Sequence, residues 1–233
     1  MMNESSRPKV MLVVAHPDHD SATWAIARAI EQGIESDGST TAITHDLVAS
    51  GFDPVYRKAD LAHHRGLSEL PPDVRREQEL LESAEVTVVL FPVYWWSMPA
   101  LTKGWFDRVF GAYDDVSHGS PSVVKQLHLV ASAGLGESTF ARHGYKTALT
   151  TQTMHGIADY SQIGDSSMEF LYDTESEDWA VHEQLIAQGY EIGVAMAQRA
   201  QIAYDSVAGR VIERHNPAAG PMTERGAGGA AKR

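Results

Sequence analysis

Residues Val86-Thr87-Val88-Val89-Leu90-Phe91 form an apolar run with no polar alternation. That is the pattern of a β-strand buried on both faces, as in a parallel sheet covered by helices. Pro92 ends the run, and Tyr94, Trp95 and Trp96 crowd a short turn. Ser97 is placed to cap the following helix, with Pro99 in a first turn that does not need its missing amide. Met98, Leu101, Trp105 and Val109 then recur at helical spacing, widened by Phe106 and Phe110, and these are core positions. A strand–turn–helix of this kind puts its turn at the carboxyl edge of an open parallel sheet, where ligands bind. One aromatic there would be ordinary core filling. Three in succession point to a flat ligand.

The rest of the chain repeats the alternation. Val10–Ala15 is a first buried strand, followed by the polar loop His16-Pro17-Asp18-His19-Asp20-Ser21-Ala22-Thr23 and a helix, its apolar face counted from Ala22, that stops near Asp37-Gly38. Thr41–Thr44 is a short second strand. The segment from Leu47 to Pro72 reads largely as loop, long enough to be a functional excursion. Asp73 is placed to cap the next helix. After the aromatic turn and its helix comes an acidic loop over residues 111–121, holding Tyr113, Asp114, Asp115 and His118, which reads as solvated rather than metal-binding. Gln126–Ser132 is the fourth strand and exits through Ala133-Gly134-Leu135-Gly136-Glu137-Ser138, whose two glycines let backbone amides approach a ligand. A helix over Tyr145–His155, a fifth strand within Ala158–Leu171 and a long closing helix complete the series. Glu175, Glu177 and Asp178 favour that last helix's start. The expected fold class is α/β: a flavodoxin-like, doubly wound five-stranded parallel sheet with helices on both faces. Residues 1–207 form the domain, and 208–233, rich in Gly, Ala and Arg, read as a mobile tail.

Composition narrows the function classes. The chain of 233 residues contains no cysteine, which removes disulfides, thiolate metal sites and cysteine nucleophiles and is compatible with a cytoplasmic protein. A net charge of −12 opposes binding to a phosphate backbone, so no nucleic-acid partner is expected. No apolar run approaches the roughly 20 residues of a membrane span, and the polar start reads as no secretory signal. Neither GxGxxG nor GxxxxGK[ST] is present. The loop after the first strand instead offers His16, Ser21 and Thr23 to a phosphate, although Ser21 is equally placed to cap its helix. A phosphate-holding loop, an aromatic turn and an amide-rich turn on one sheet edge fit a flavin better than a sugar or free nucleotide.

These segments resemble the flavodoxin-like NAD(P)H:quinone oxidoreductases, the DT-diaphorase family. The likeness rests on His16 with Ser21 and Thr23, on GFDPVYRKADL, on FPVYWWSMPALTKGWFDRVF and on the Ser132–Gly136 turn. It implies that His16, Ser21 and Thr23 hold the phosphate end of a flavin. Pro92, Val93, Tyr94, Trp95 and Trp96 would wrap the isoalloxazine, and Ser132, Ala133, Gly134, Leu135 and Gly136 would lie under its pyrimidine edge. It further implies NAD(P)H as co-substrate, a small quinone-like acceptor, a homodimer and no membrane insertion. Members place a tyrosine and a histidine after the glycine turn. Here Phe140 stands in the tyrosine's place, leaving Tyr145, then His143, as the polar catalytic candidates, while His155 and His182 read as structural. FAD is favoured over FMN because the Leu47–Pro72 excursion leaves room for an adenosine extension. The alternatives are a regulatory flavoprotein subunit of a potassium-efflux antiporter and a flavodoxin-type electron carrier.

Overall fold

The computed structural model describes residues 7–111 and 124–215. Five parallel strands, β1 (Lys9–Val14), β2 (Thr41–Asp46), β3 (Val86–Pro92), β4 (Gln126–Ser132) and β5 (Asp165–Leu171), pair in the order β2-β1-β3-β4-β5. This is the expected doubly wound sheet, with its switch point between β1 and β3. Successive β1 residues serve opposite cores because side chains alternate along a strand. Met11 and Val13 pack with Leu47, Trp105 and Phe106 on one face. Val10, Leu12 and Val14 pack with Ile26, Ile30 and Ile192 on the other. Every residue of β3 is buried, as its unbroken apolar run requires.

Helix α1 (Ala22–Ile34) is capped by Ser21, whose hydroxyl accepts from the Trp24 amide. Its partner on the same face, α7 (Trp179–His215), comes close enough that Gly33 and Gly193 meet backbone to backbone. α7 therefore runs beyond Ala208, and the remainder of the expected tail lies outside the described residues. The acidic loop of residues 112–121 does too.

Several boundaries differ from expectation. The 47–72 excursion contains α2 (Lys58–His64), and α3 (Pro72–Glu82) begins from Pro71, with Asp73 inside its first turn rather than at the cap. Ser97 does not cap α4 (Ala100–Trp105). Pro99 holds that position, because the Ser97 backbone is paired with Tyr94. α4 continues as a π-helical segment, Phe106–Phe110. A helix that the glycine-rich sequence concealed, α5 (Glu137–His143), precedes α6 (Tyr145–Thr150), which likewise continues as a π-helical segment, Thr151–Asp159.

The excursion is not loose. Arg108, 4% exposed, bonds Asp60 at 2.9 Å, the Asp53 carbonyl at 2.7 Å and both oxygens of Asp73. The guanidinium holds the Asp73 carboxyl below the usual range. One turn earlier, Gly104 lets the Pro54 backbone touch the helix: a Cβ there would lie 2.2 Å from the Pro54 carbonyl oxygen. Gly104→Ala should therefore cost about 1–3 kcal/mol by overpacking, read as a lower urea midpoint at unchanged slope.

A second buried polar site lies on β4. His128 Nδ1 meets Ser167 Oγ at 2.6 Å, and burial, reinforced by the charge of Arg199, pushes the imidazole from 6.5 down to about 4. Between those values the unfolded chain binds a proton that the folded chain refuses, so stability falls as pH drops through this window. The expected loss between pH 7 and pH 4 is about 3 kcal/mol. Urea midpoints of His128→Gln, which cannot protonate, should show that much less acid sensitivity than the parent.

Candidate functional site

The carboxyl ends of β1, β3 and β4 bring the three predicted segments together. The ladder continues past the strands: the Ala15 amide donates to the Leu90 carbonyl at 3.1 Å, and that of Val93 to Ser132 at 2.8 Å. Side chains tie the same edge, since Thr23 Oγ1 and Ser132 Oγ lie 3.0 Å apart and Thr174 Oγ1 is 3.4 Å from Ser132. Thr23 and Ser132 are thus buried connectors between the first loop and the last turn.

In the first loop, Ser21 Oγ donates to the Asp18 carbonyl at 2.7 Å while accepting from Trp24, so its hydroxyl is committed to the cap. His16 Nδ1 accepts from the Asp18 amide at 3.1 Å, leaving Nε2 as the ring nitrogen for a ligand. His19, not singled out in the sequence, bonds Asp46 at 2.7 Å and stacks on Trp24 with ring centroids 4.2 Å apart. Its pairing with the end of β2 depends on strand register, which no local motif announces.

The aromatic turn is a two-residue reversal. Tyr94 and Ser97 exchange backbone hydrogen bonds of 3.0 and 3.1 Å across it. The central residues Trp95 and Trp96 have φ of 48° and 65°. Two positive φ values define a type I′ turn, a geometry that normally selects Asn and Gly. Bulky side chains here carry a backbone cost of order 1–3 kcal/mol each, and such strain clusters at ligand sites. Trp95 is 93% exposed, although burial is what an indole gains from folding. Trp96 is held from behind, stacked on Tyr145 with centroids 3.9 Å apart and planes 13° from parallel, with Phe140 edge-on at 5.7 Å.

The third segment faces this turn. Val93, Trp95, Trp96, Gly134, Leu135, Phe140 and Glu175 line a slot of about 180 Å³. Among the described residues, no backbone carbonyl accepts from the amides of Gly134, Leu135 or Gly136. A planar ring between an indole turn and three free amides is what these residues fit, and the small volume means most of the ring would lie over the opening. Neither Tyr145 nor His143 lines the slot; His143 lies behind Tyr145, 5.4 Å between centroids. Glu175, expected at the start of the last helix, instead lines the slot, because α7 begins only at Trp179 and the chain after β5 folds back over the β4 turn. A larger cavity of about 610 Å³, lined by Met98, Phe106, Leu149 and Ile157 among others, contains none of the expected site residues. Among the described residues no cluster of three His, Asp or Glu could hold a metal, and no helix is long and apolar enough to cross a membrane.

The strain has a measurable consequence. Trp95→Asn suits a positive φ and removes little packing, so it should raise stability by about 1 kcal/mol in thermal unfolding while removing one wall of the slot.

Comparison with known proteins agrees with this fold. The family model for the flavodoxin-like fold, Flavodoxin_2, matches residues 8–190. An uncharacterized NAD(P)H oxidoreductase of Escherichia coli K12, YcaK, is 31% identical over 78% of this chain and 91% of its own. NAD(P)H dehydrogenase [quinone] 1 of Cavia porcellus is 28% identical over 58% of this chain and 57% of its own. Among solved structures, the NAD(P)H:quinone oxidoreductase from Methanothermobacter marburgensis shares the fold with a TM-score of 0.73 at 23% identity, covering 82% of this chain and 96% of its own. With its sheet order, the edge on which its turns meet and this match over most of its length, the chain belongs to the flavodoxin-like family whose members include the NAD(P)H:quinone oxidoreductases.

Proposed function

We propose that the chain binds a flavin across the slot between the Trp95–Trp96 and Gly134–Gly136 turns and works as an NAD(P)H-dependent reductase of quinones or related planar acceptors. The observation that carries this reading is the strained turn itself: two tryptophans held at positive φ, opposite three amides without backbone partners. The names of the relatives support it, and one solved structure of the same fold, a Bacillus anthracis FMN-dependent NADH-azoreductase in complex with FMN, matches with a TM-score of 0.62 at 16% identity. The flavin is FAD or FMN, and the reading includes a homodimer.

A flavin held there would supply two-electron hydride chemistry between a nicotinamide and the acceptor. The chain's residues position and stabilise. Pro92 and Val93 set the depth of the slot as the last rung of the β3–β4 ladder. Tyr94 closes the turn through its backbone, and Trp95 and Trp96 offer flat walls. The Gly134, Leu135 and Gly136 amides would hold a flavin's ring edge and stabilise negative charge there. His16 Nε2 would hold the phosphate end. Ser132, Thr23 and Ala133 keep the two turns in register, and Ser21 starts α1. Tyr145 holds Trp96 in place by stacking and is the nearest hydroxyl-bearing ring to it, with His143 behind.

Purified protein should bind flavin and reduce a benzoquinone with NADH or NADPH, giving parallel double-reciprocal lines, since the two substrates take turns in one slot. Trp96→Ala should lower kcat/KM for the quinone by at least tenfold with far-UV circular dichroism intact. A chain that takes up no flavin would end this reading, and unchanged kinetics in the variant would remove Trp96 from the pocket.

A further inference from the structure

Glu175 is the one carboxylate among the residues that line the slot. A Cβ placed on Gly134 would lie 2.6 Å from its Cδ and 2.8 Å from its Oε1, so the carboxylate packs directly against the turn. Only the missing side chain of Gly134 makes room for it. The backbone determines this placement. The Ala133 amide donates to the Leu171 carbonyl at 2.8 Å, and the Thr174 amide donates back to Ala133 at 3.0 Å. Asp173, at φ 60°, reverses the chain between them and delivers Glu175 over the turn.

Among the described residues Glu175 has no ion-pair partner. Lys146 pairs instead with Glu137 at 3.0 Å. Asp173 Oδ1 would be 3.0 Å from a Cβ on Gly136, but Asp173 is not among the residues that line the slot. Arg142 and His143 belong to the last turn of α5 and do not line the slot either. Free amides and a carboxylate therefore share one edge.

We propose that Glu175 tunes the reducing power of this site. Resting on the flavin reading above, the inference is that its carboxylate opposes the negative charge that the Gly134–Gly136 amides would otherwise stabilise. The bound flavin is then harder to reduce and, once reduced, a stronger donor. Two electrons and one proton enter the ring as hydride and the nicotinamide leaves oxidised. No bond to the protein forms, and Glu175 acts through its charge alone. A charge beside N1 of a flavin is one of the levers by which a protein sets its electronics.

The test is the midpoint potential of the flavin-loaded protein, measured by slow enzymatic reduction against a reference dye, in the parent, Glu175→Gln and Asp173→Asn. Glu175→Gln should favour the reduced over the oxidised flavin by about tenfold, a shift of about +30 mV for a two-electron couple. Asp173→Asn, which tolerates the same positive φ and changes the same charge outside the slot, should shift the ratio less than twofold. Glu175→Ala serves as a second variant should the glutamine disturb folding. A shift below twofold for Glu175→Gln, or an equal shift for Asp173→Asn, overturns the inference while leaving the flavin reading intact. A parent protein that binds no flavin overturns both.

Discussion

The site depends on a ladder that does not stop where the strands do. Val93 donates to Ser132 one step beyond β3, and Ala133 donates to Leu171 one step beyond β4. These bonds lock the aromatic turn, the glycine turn and the segment after β5 into one register. In a parallel sheet the strands are individually weak partners, and burial on both faces supplies the rigidity. β3 is wholly buried and provides it here. The type I′ turn can hold two tryptophans at positive φ only because its flanks are anchored to that strand and to α4.

Polar groups do the same for the helical face. Arg108 gathers Asp60, Asp73 and the Asp53 carbonyl around one guanidinium, and Glu77 accepts from both Trp105 at 2.9 Å and His45 at 2.9 Å. Losing one member of such a buried set leaves the others desolvated and unpaired, which is costlier than the set is stabilising. What reads in the sequence as a long open loop is thereby bound to the central helix. Room for an adenosine extension has to be sought outside that bound segment.

Much of the site was legible. The apolar runs located β1, β3 and β4, whereas β2 was read two residues short and β5 was bracketed only within Ala158–Leu171. The aromatic and glycine turns lie where strand-end reasoning put them. Side-chain roles were less legible. Ser21 and Thr23 are short hydroxyl residues in a phosphate-type loop, yet one is spent on a helix cap and the other is buried against Ser132. Tyr145 was picked as a polar partner, and the fold uses its ring face first, as a stack for Trp96. Ser97 and Asp73 have capping chemistry, but the backbone of one and the carboxylate of the other are claimed by Tyr94 and Arg108.

The amino-acid sequence by itself determined the layered α/β architecture and the three turns at the strand ends, because burial on two faces and helical periodicity are local patterns that survive without knowledge of neighbours. Only the tertiary structure decided which groups in those turns are free and which are spent. It put Glu175 against Gly134, some 40 residues away along the chain, through a reversal at Asp173 that closes only when β4 and β5 pair. Long-range register and competition for hydrogen-bond partners are properties of the assembled sheet, and no window of sequence contains them.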